Sequence, residues 1–136
     1  MPKYFERMIE LKNSLLENFY EIEHFSEIEK NKFTVRISLN KEHKIFEGHF
    51  PGHPVTPGVC MMQIIKEVTE GYLNVSLQLQ TAENIKFMAI INPEENSKIG
   101  MDFDIKEEDN NISLKSVTYF EETVALKFSG IYNKKL

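Results

Sequence analysis

The chain has 136 residues, of which 41% are hydrophobic and 27% charged, with a net charge of −5. That is the make-up of one globular domain, and a single domain over 1–136 is expected. The one cysteine, Cys60, excludes an internal disulfide and a cysteine-rich zinc site. With an acidic balance and only two arginines, Arg7 and Arg36, the chain lacks the clustered cations of a nucleic-acid surface. No apolar run approaches the ~20 residues of a membrane-spanning helix. The first six residues carry no signal-peptide core, so a cytoplasmic location without membrane contact is the default expectation.

Residues 3–12 read as a short amphipathic helix, because Tyr4, Phe5, Met8, Ile9 and Leu11 recur at roughly helical spacing among charges. A long hairpin is expected over 16–40. Its first arm carries Phe19, Ile22, Phe25 and Ile28. Its second alternates strictly through Phe33, Val35, Ile37 and Leu39, as a half-buried strand does. Glu29-Lys30-Asn31-Lys32 is the turn between them. Next, Gly48, Pro51, Gly52, Pro54, Pro57 and Gly58 crowd into one stretch, where proline forbids a regular helix or a central strand. Residues 59–73 then run without proline and are apolar on most sides. This is the pattern of a buried helix about 22 Å long, with Gly71 as its stop. The remainder reads as strands over 75–91, 98–106, 112–120 and 123–132, separated by polar turns. One buried helix among five or six strands implies an α+β domain: an antiparallel sheet wrapped around that helix, with a short helix in front.

The run Phe46-Glu47-Gly48-His49-Phe50-Pro51-Gly52-His53-Pro54-Val55-Thr56-Pro57-Gly58-Val59 resembles the signature of the bacterial 3-hydroxyacyl-ACP dehydratases of fatty-acid synthesis, which have the hot-dog fold. A His-Phe-Pro-Gly-x-Pro-x-x-Pro-Gly string at a strand-to-helix junction is a specific match. Ile85-Lys86-Phe87-Met88, followed by Ile91 and Pro93, is a weaker echo of the same family. The N-terminal region lacks the His-Arg-Tyr-Pro-Phe-type string that many members carry. The resemblance implies a dimer whose helices lie at the centre of a shared sheet, with active-site tunnels along the subunit interface. It also implies elimination of water from an acyl chain held on the phosphopantetheine of acyl carrier protein. No metal and no redox cofactor is implied.

Such an elimination needs a base for the proton at C2, donors for the developing enolate oxygen, and an acid for the departing hydroxyl. His49 is the expected base, since a neutral imidazole accepts a proton near pH 7. His53 falls at a variable position of the motif, and His24 and His43 read as structural or exposed. Gly58 opens the buried helix, whose first N–H groups lack intrahelical partners and favour negative charge. Its missing side chain lets a thioester carbonyl approach, and Val59 can add a second N–H. The family places its Glu or Asp five residues after this glycine and fourteen after the histidine. That position holds Gln63, which keeps the hydrogen bonds of Glu but cannot act as an acid.

Glu67, about 6 Å further along the same helix face, is the substitute carboxylate, while Glu70 is expected to be solvated and Glu47 to stand at the entrance. Phe50, Pro57, Val59, Met62 and Glu67 are the expected substrate contacts. Cys60 reads as a small buried hydrophobe and not a nucleophile. Lys66, Lys86, Lys134 and Lys135 are candidates to meet the carrier's phosphopantetheine or its acidic surface. Three readings follow. His49 carries proton transfer alone while Gln63 orients the hydroxyl. Alternatively, a related hot-dog subunit supplies the missing carboxylate in a heterodimer. In the third, the chain binds acyl thioesters without dehydrating them, or hydrolyses them.

Overall fold

The computed structural model describes residues 18–47 and 55–135, so the expected helix over 3–12 and the loop at 48–54 lie outside the described residues. The elements run β1 (Tyr20–Glu29), β2 (Lys32–Leu39), a 3-10 turn (Lys44–Phe46), α1 (Gly58–Leu73), β3 (Leu77–Phe87), β4 (Lys98–Glu108), β5 (Asn111–Phe120) and β6 (Thr123–Lys134). The six strands form one sheet in the order β1-β2-β4-β5-β6-β3, with every pair antiparallel. Helix α1 lies against its inner face. This is the hot-dog arrangement.

The core forms where the two inner faces meet. Met61, Ile64, Ile65, Val68 and Tyr72 of α1 join Phe33, Val35 and Ile37 of β2 and Ile99, Met101, Phe103 and Ile105 of β4 in one buried cluster. Aromatic stacking marks the contact at the helix's far end. The Tyr72 ring lies 4.2 Å from that of Phe33, which in turn stacks on Phe103 at 4.8 Å. β2 keeps the strict alternation of its sequence, with Phe33, Val35, Ile37 and Leu39 all buried.

β1 behaves differently, and a bulge explains it. Its register against β2 shifts between Ile22 and His24. The extra residue moves the inward phase, so Tyr20 and Ile22 are buried on one side of the shift and Phe25 packs on the core on the other. A second shift lies between Glu27 and Glu29. Ile28, expected in the apolar face, is 70% exposed as a result. Glu27 serves the inner side instead: the Tyr72 hydroxyl donates to its carboxylate and also accepts the Asn31 N–H at 2.9 Å.

Two further boundaries depart from the sequence reading. The helix passes through Gly71, which is buried, and stops at Asn74. Asn74 takes the left-handed conformation (φ 57°, ψ 45°) that asparagine tolerates, with its N–H returning to the Glu70 carbonyl. β3 ends at Phe87 and not at Ile91, because Met88 and Ala89 both turn their N–H groups to the Ala125 carbonyl, at 2.8 and 3.3 Å. Among the described residues β3 pairs with β6 alone, so its outer edge has no strand partner there. That strand exposes the apolar Leu79, Ile85 and Phe87 beside the polar Gln78, Gln80, Glu83 and Lys86, with Met88 and Ile90 exposed just beyond. An open edge of this kind is what a second subunit covers in other sheets.

Burial predicts the energetic weight of these positions. Ile64→Ala, at a fully buried site under the sheet, should cost about 2–5 kcal/mol of unfolding free energy. Ile28→Ala should cost less than about 0.5 kcal/mol. Denaturant unfolding of the two variants beside the parent checks the contrast, and equal losses would contradict the bulged register of β1.

Candidate active site

The start of α1 is built to leave donors open. Pro57 occupies the N-cap with extended backbone (φ −61°, ψ 140°) and offers no side-chain cap. Its carbonyl takes the N–H groups of Cys60 at 3.0 Å and Met61 at 3.3 Å. Those of Gly58 and Val59 find no acceptor among the described residues. Gly58 is half-buried and Val59 is 78% exposed, and both lie at the positive end of the helix. Just before them, the Thr56 N–H donates to the Ile91 carbonyl at 2.9 Å, tying the helix entry to the chain beyond β3.

The need for glycine at 58 has a further cause that the sequence alone did not disclose. A Cβ there would lie 2.6 Å from the tip of the Phe87 ring. The last residue of β3 therefore packs with the tip of its ring against the first residue of the helix. Phe87, 55% exposed, thus belongs to the wall around the open N–H groups.

Gln63 stands five residues along, on the same helix, half-buried. Its amide nitrogen donates to Glu67 Oε2 at 3.0 Å. The other oxygen of Glu67 accepts the Tyr20 hydroxyl at 2.9 Å. Glu67 is only 1% exposed and Tyr20 2%. A carboxylate so deeply placed would cost several kcal/mol without partners, and these two donors offset that cost. Glu67 is thus tied both to Gln63 on its own helix and to Tyr20 of β1. Burial pushes the Tyr20 phenol well above its ordinary value. Repulsion from Glu67, the hydrogen bond to it and the charge of Glu70 push the same way.

Met62 is half-buried and packs against the core. His49, Phe50 and His53 lie outside the described residues. Glu70, expected to be solvated, instead accepts the Leu77 N–H at 2.8 Å and so ties the end of α1 to the start of β3. His43 caps the 3-10 turn, accepting the Ile45 N–H on Nδ1 at 3.1 Å. Burial pushes the Cys60 thiol up, which leaves it protonated at neutral pH and unsuited to attack. Lys134 pairs with Glu107 at 3.6 Å. Tyr20 escaped the sequence reading because Phe19, beside it, fitted the threefold spacing of Ile22 and Phe25. The two-residue step from Tyr20 to Ile22 is the signal that would have found it.

Elsewhere, a concavity of about 530 Å³ lies on the sheet's outer face, lined by Glu23, Arg36, Lys98 and Tyr119 among others. Its charged, open lining does not suit an acyl chain. Among the described residues no group of three or more His, Cys, Asp or Glu converges as a metal site. Nor is any described helix long and apolar enough to cross a membrane.

Comparison with known proteins agrees with this geometry. Residues 15–130 match the model of the ApeI-like family, described as ApeI dehydratase. The 3-hydroxyacyl-[acyl-carrier-protein] dehydratase FabZ of Lactobacillus helveticus is 29% identical over 99 residues, covering 68% of this chain and 65% of that protein. The aligned part therefore spans just under two thirds of that relative. The FabZ of Fusobacterium nucleatum is 28% identical over 120 residues, covering 85% of this chain and 82% of that one. Among solved structures, the dehydratase heterocomplex ApeI:P from Xenorhabdus doucetiae superposes with a TM-score of 0.70 at 17% identity, over 83% of this chain and 96% of that chain. At that identity the likeness shows the fold.

The buried Tyr20 phenol makes a pH prediction. Its folded value lies above the ordinary 10.0, so its contribution is fully present below pH 10 and is lost as pH rises beyond it. Tyr132, likewise raised by burial and by Glu70, adds to the same trend. Unfolding free energy should fall above pH 10, each such tyrosine adding up to about 1.4 kcal/mol per pH unit. Tyr20→Phe should make that fall shallower. An unchanged slope would show that Tyr20 is not held as described.

With a family model matching residues 15–130, this chain belongs to the ApeI-like family.

Proposed function

We propose that this protein dehydrates 3-hydroxyacyl chains carried on acyl carrier protein to the trans-2-enoyl thioesters. The observation that carries the reading is the pair of open N–H groups, Gly58 and Val59, at the uncapped start of a buried helix directly after the His49 loop. Donors fixed in that way stabilise an enolate oxygen without reorganising during the reaction. The family match and the FabZ relatives support the same substrate class.

The steps balance on this chain's own residues. The thioester carbonyl faces the N–H groups of Gly58 and Val59. His49 takes the C2 proton, and charge moves onto the carbonyl oxygen. The C2–C3 double bond then forms as the C3–O bond breaks. The imidazolium returns its proton to the departing hydroxyl, which leaves as water. Gln63 cannot supply that proton, because a carboxamide is no acid, so its part is to hold the hydroxyl. Phe50, Pro57, Val59 and Met62 line the thioester's path, and Phe87 closes its side at the helix start. The substrate arrives on the carrier's phosphopantetheine, and no further cofactor is needed.

The open outer edge of β3 favours a dimer, with the helices of two subunits on one continuous sheet. Either a second copy or a related hot-dog subunit fits that edge. The related subunit has the added support of Gln63, since a partner bearing a carboxylate could complete one site facing His49. The solved Xenorhabdus doucetiae relative is itself a heterocomplex.

Purified protein given a 3-hydroxyacyl-ACP should form the 2-enoyl product, and His49→Ala should lose turnover by about 10²-fold or more. Product formed at equal rate by His49→Ala, or release of free thiol in place of an enoyl product, would overturn the dehydratase reading. The carboxylate question has its own test. Gln63→Glu alone would set two carboxylates about 3 Å apart, forcing them to share a proton and straining the core. Gln63→Glu/Glu67→Gln keeps one carboxylate and one carboxamide in contact and places the acid at 63. Its kcat should exceed that of the parent by about tenfold or more.

A further inference from the structure

We propose that Glu67 is a positioning residue for the dehydration, fixing the direction in which Gln63 presents its carboxamide to the substrate's hydroxyl. The proposal rests on the dehydratase reading above. A carboxamide on a helix surface has two faces of similar shape, an oxygen that accepts and an NH2 that donates. Which one meets the substrate decides what it can do. Glu67 Oε2 accepts here, which fixes the choice: the NH2 of Gln63 turns to it at 3.0 Å, and Oε1 points the other way. Oε1 takes no hydrogen bond among the described residues.

The orientation is stiff because Glu67 is itself held. It is buried within the core, and the Tyr20 hydroxyl from β1 fastens its second oxygen at 2.9 Å. The chain of three groups thus runs from the sheet, through the helix, to a half-buried carboxamide. Its polarity runs one way. A carboxylate accepting from one end of an amide draws charge onto the amide oxygen, making Oε1 a stronger acceptor. An acceptor placed there binds the hydrogen of the substrate's C3 hydroxyl and aligns the C3–O bond for departure. The proton itself still comes from His49.

The test is a double-mutant cycle on the whole protein, with 3-hydroxyoctanoyl-ACP as substrate and kcat and KM read separately. Glu67→Gln keeps shape and hydrogen bonding but satisfies either orientation of Gln63. It should lower kcat about tenfold with KM within about twofold. Gln63→Ala should lower kcat at least as much, and Gln63→Ala/Glu67→Gln no further. Tyr20→Phe, which loosens Glu67 without touching Gln63, should give a smaller loss of kcat that also vanishes in the Gln63→Ala background. Thermal unfolding of each variant separates these effects from loss of fold. Additive losses in the cycle, or losses that track only the melting temperature, would overturn the proposal while leaving the dehydratase reading intact. No turnover by the parent protein would overturn both.

Discussion

Helix α1 is apolar on nearly every side, and the rest of the structure follows from the need to cover it. Sixteen residues of such a helix have no stable place except against an apolar sheet that wraps it. That burial leaves few options for any polar side chain the helix carries. Each one must bring a partner with it or leave an unmet hydrogen bond in the core, at a cost of about 1–3 kcal/mol. Glu67 takes Tyr20 and Gln63, Thr69 turns back to the Ile65 carbonyl at 2.8 Å, and Tyr72 meets Glu27 and Asn31. The helix's polar contacts are therefore few and directed, and one set of them ends at the position expected for the acid.

The parts of this that the sequence disclosed are those governed by simple period. β2 alternates without interruption and its buried set could be named directly. The helix announced itself by length, lack of proline and apolar content. β1 did not, because two register shifts break its period and put Glu27 where Ile28 was expected. Bulges follow from pairing with a neighbour, and no local pattern encodes that. The same limit hid Tyr20, whose partner lies 47 residues away, and misplaced Glu70, whose acceptor role depends on where β3 starts. The family resemblance was legible because its motif is one contiguous run in the sequence. The site's inner supports were not, because they come from strands distant in sequence.

Gly58 shows how two demands converge on one residue. Glycine at a helix start is usually attributed to backbone freedom or to the approach of a ligand. Here the Phe87 ring occupies the space of a Cβ, so the contact between β3 and α1 asks for glycine independently of any substrate. The edge of β3 and the open donors of α1 are consequently neighbours. Whatever covers that edge also closes one side of the candidate site, which couples assembly to the site's enclosure.

The position of Glu67 also bears on the charge that develops during the reaction. In the dehydration proposed above, a carboxylate at position 67 would repel an enolate held at the start of the same helix. Along the axis, position 63 lies about 8 Å from Gly58 and position 67 about 14 Å. At an effective dielectric constant of about 20, like charges repel by about 2 kcal/mol at the nearer distance and about 1 kcal/mol at the farther. The difference of about 1 kcal/mol is roughly fivefold in rate. A neutral carboxamide in front with its carboxylate one turn behind thus keeps the orienting charge while removing about half of its repulsion. The acid that Gln63 cannot be is the loss that accompanies this gain, and in the proposed reaction both halves of the proton transfer then fall to His49.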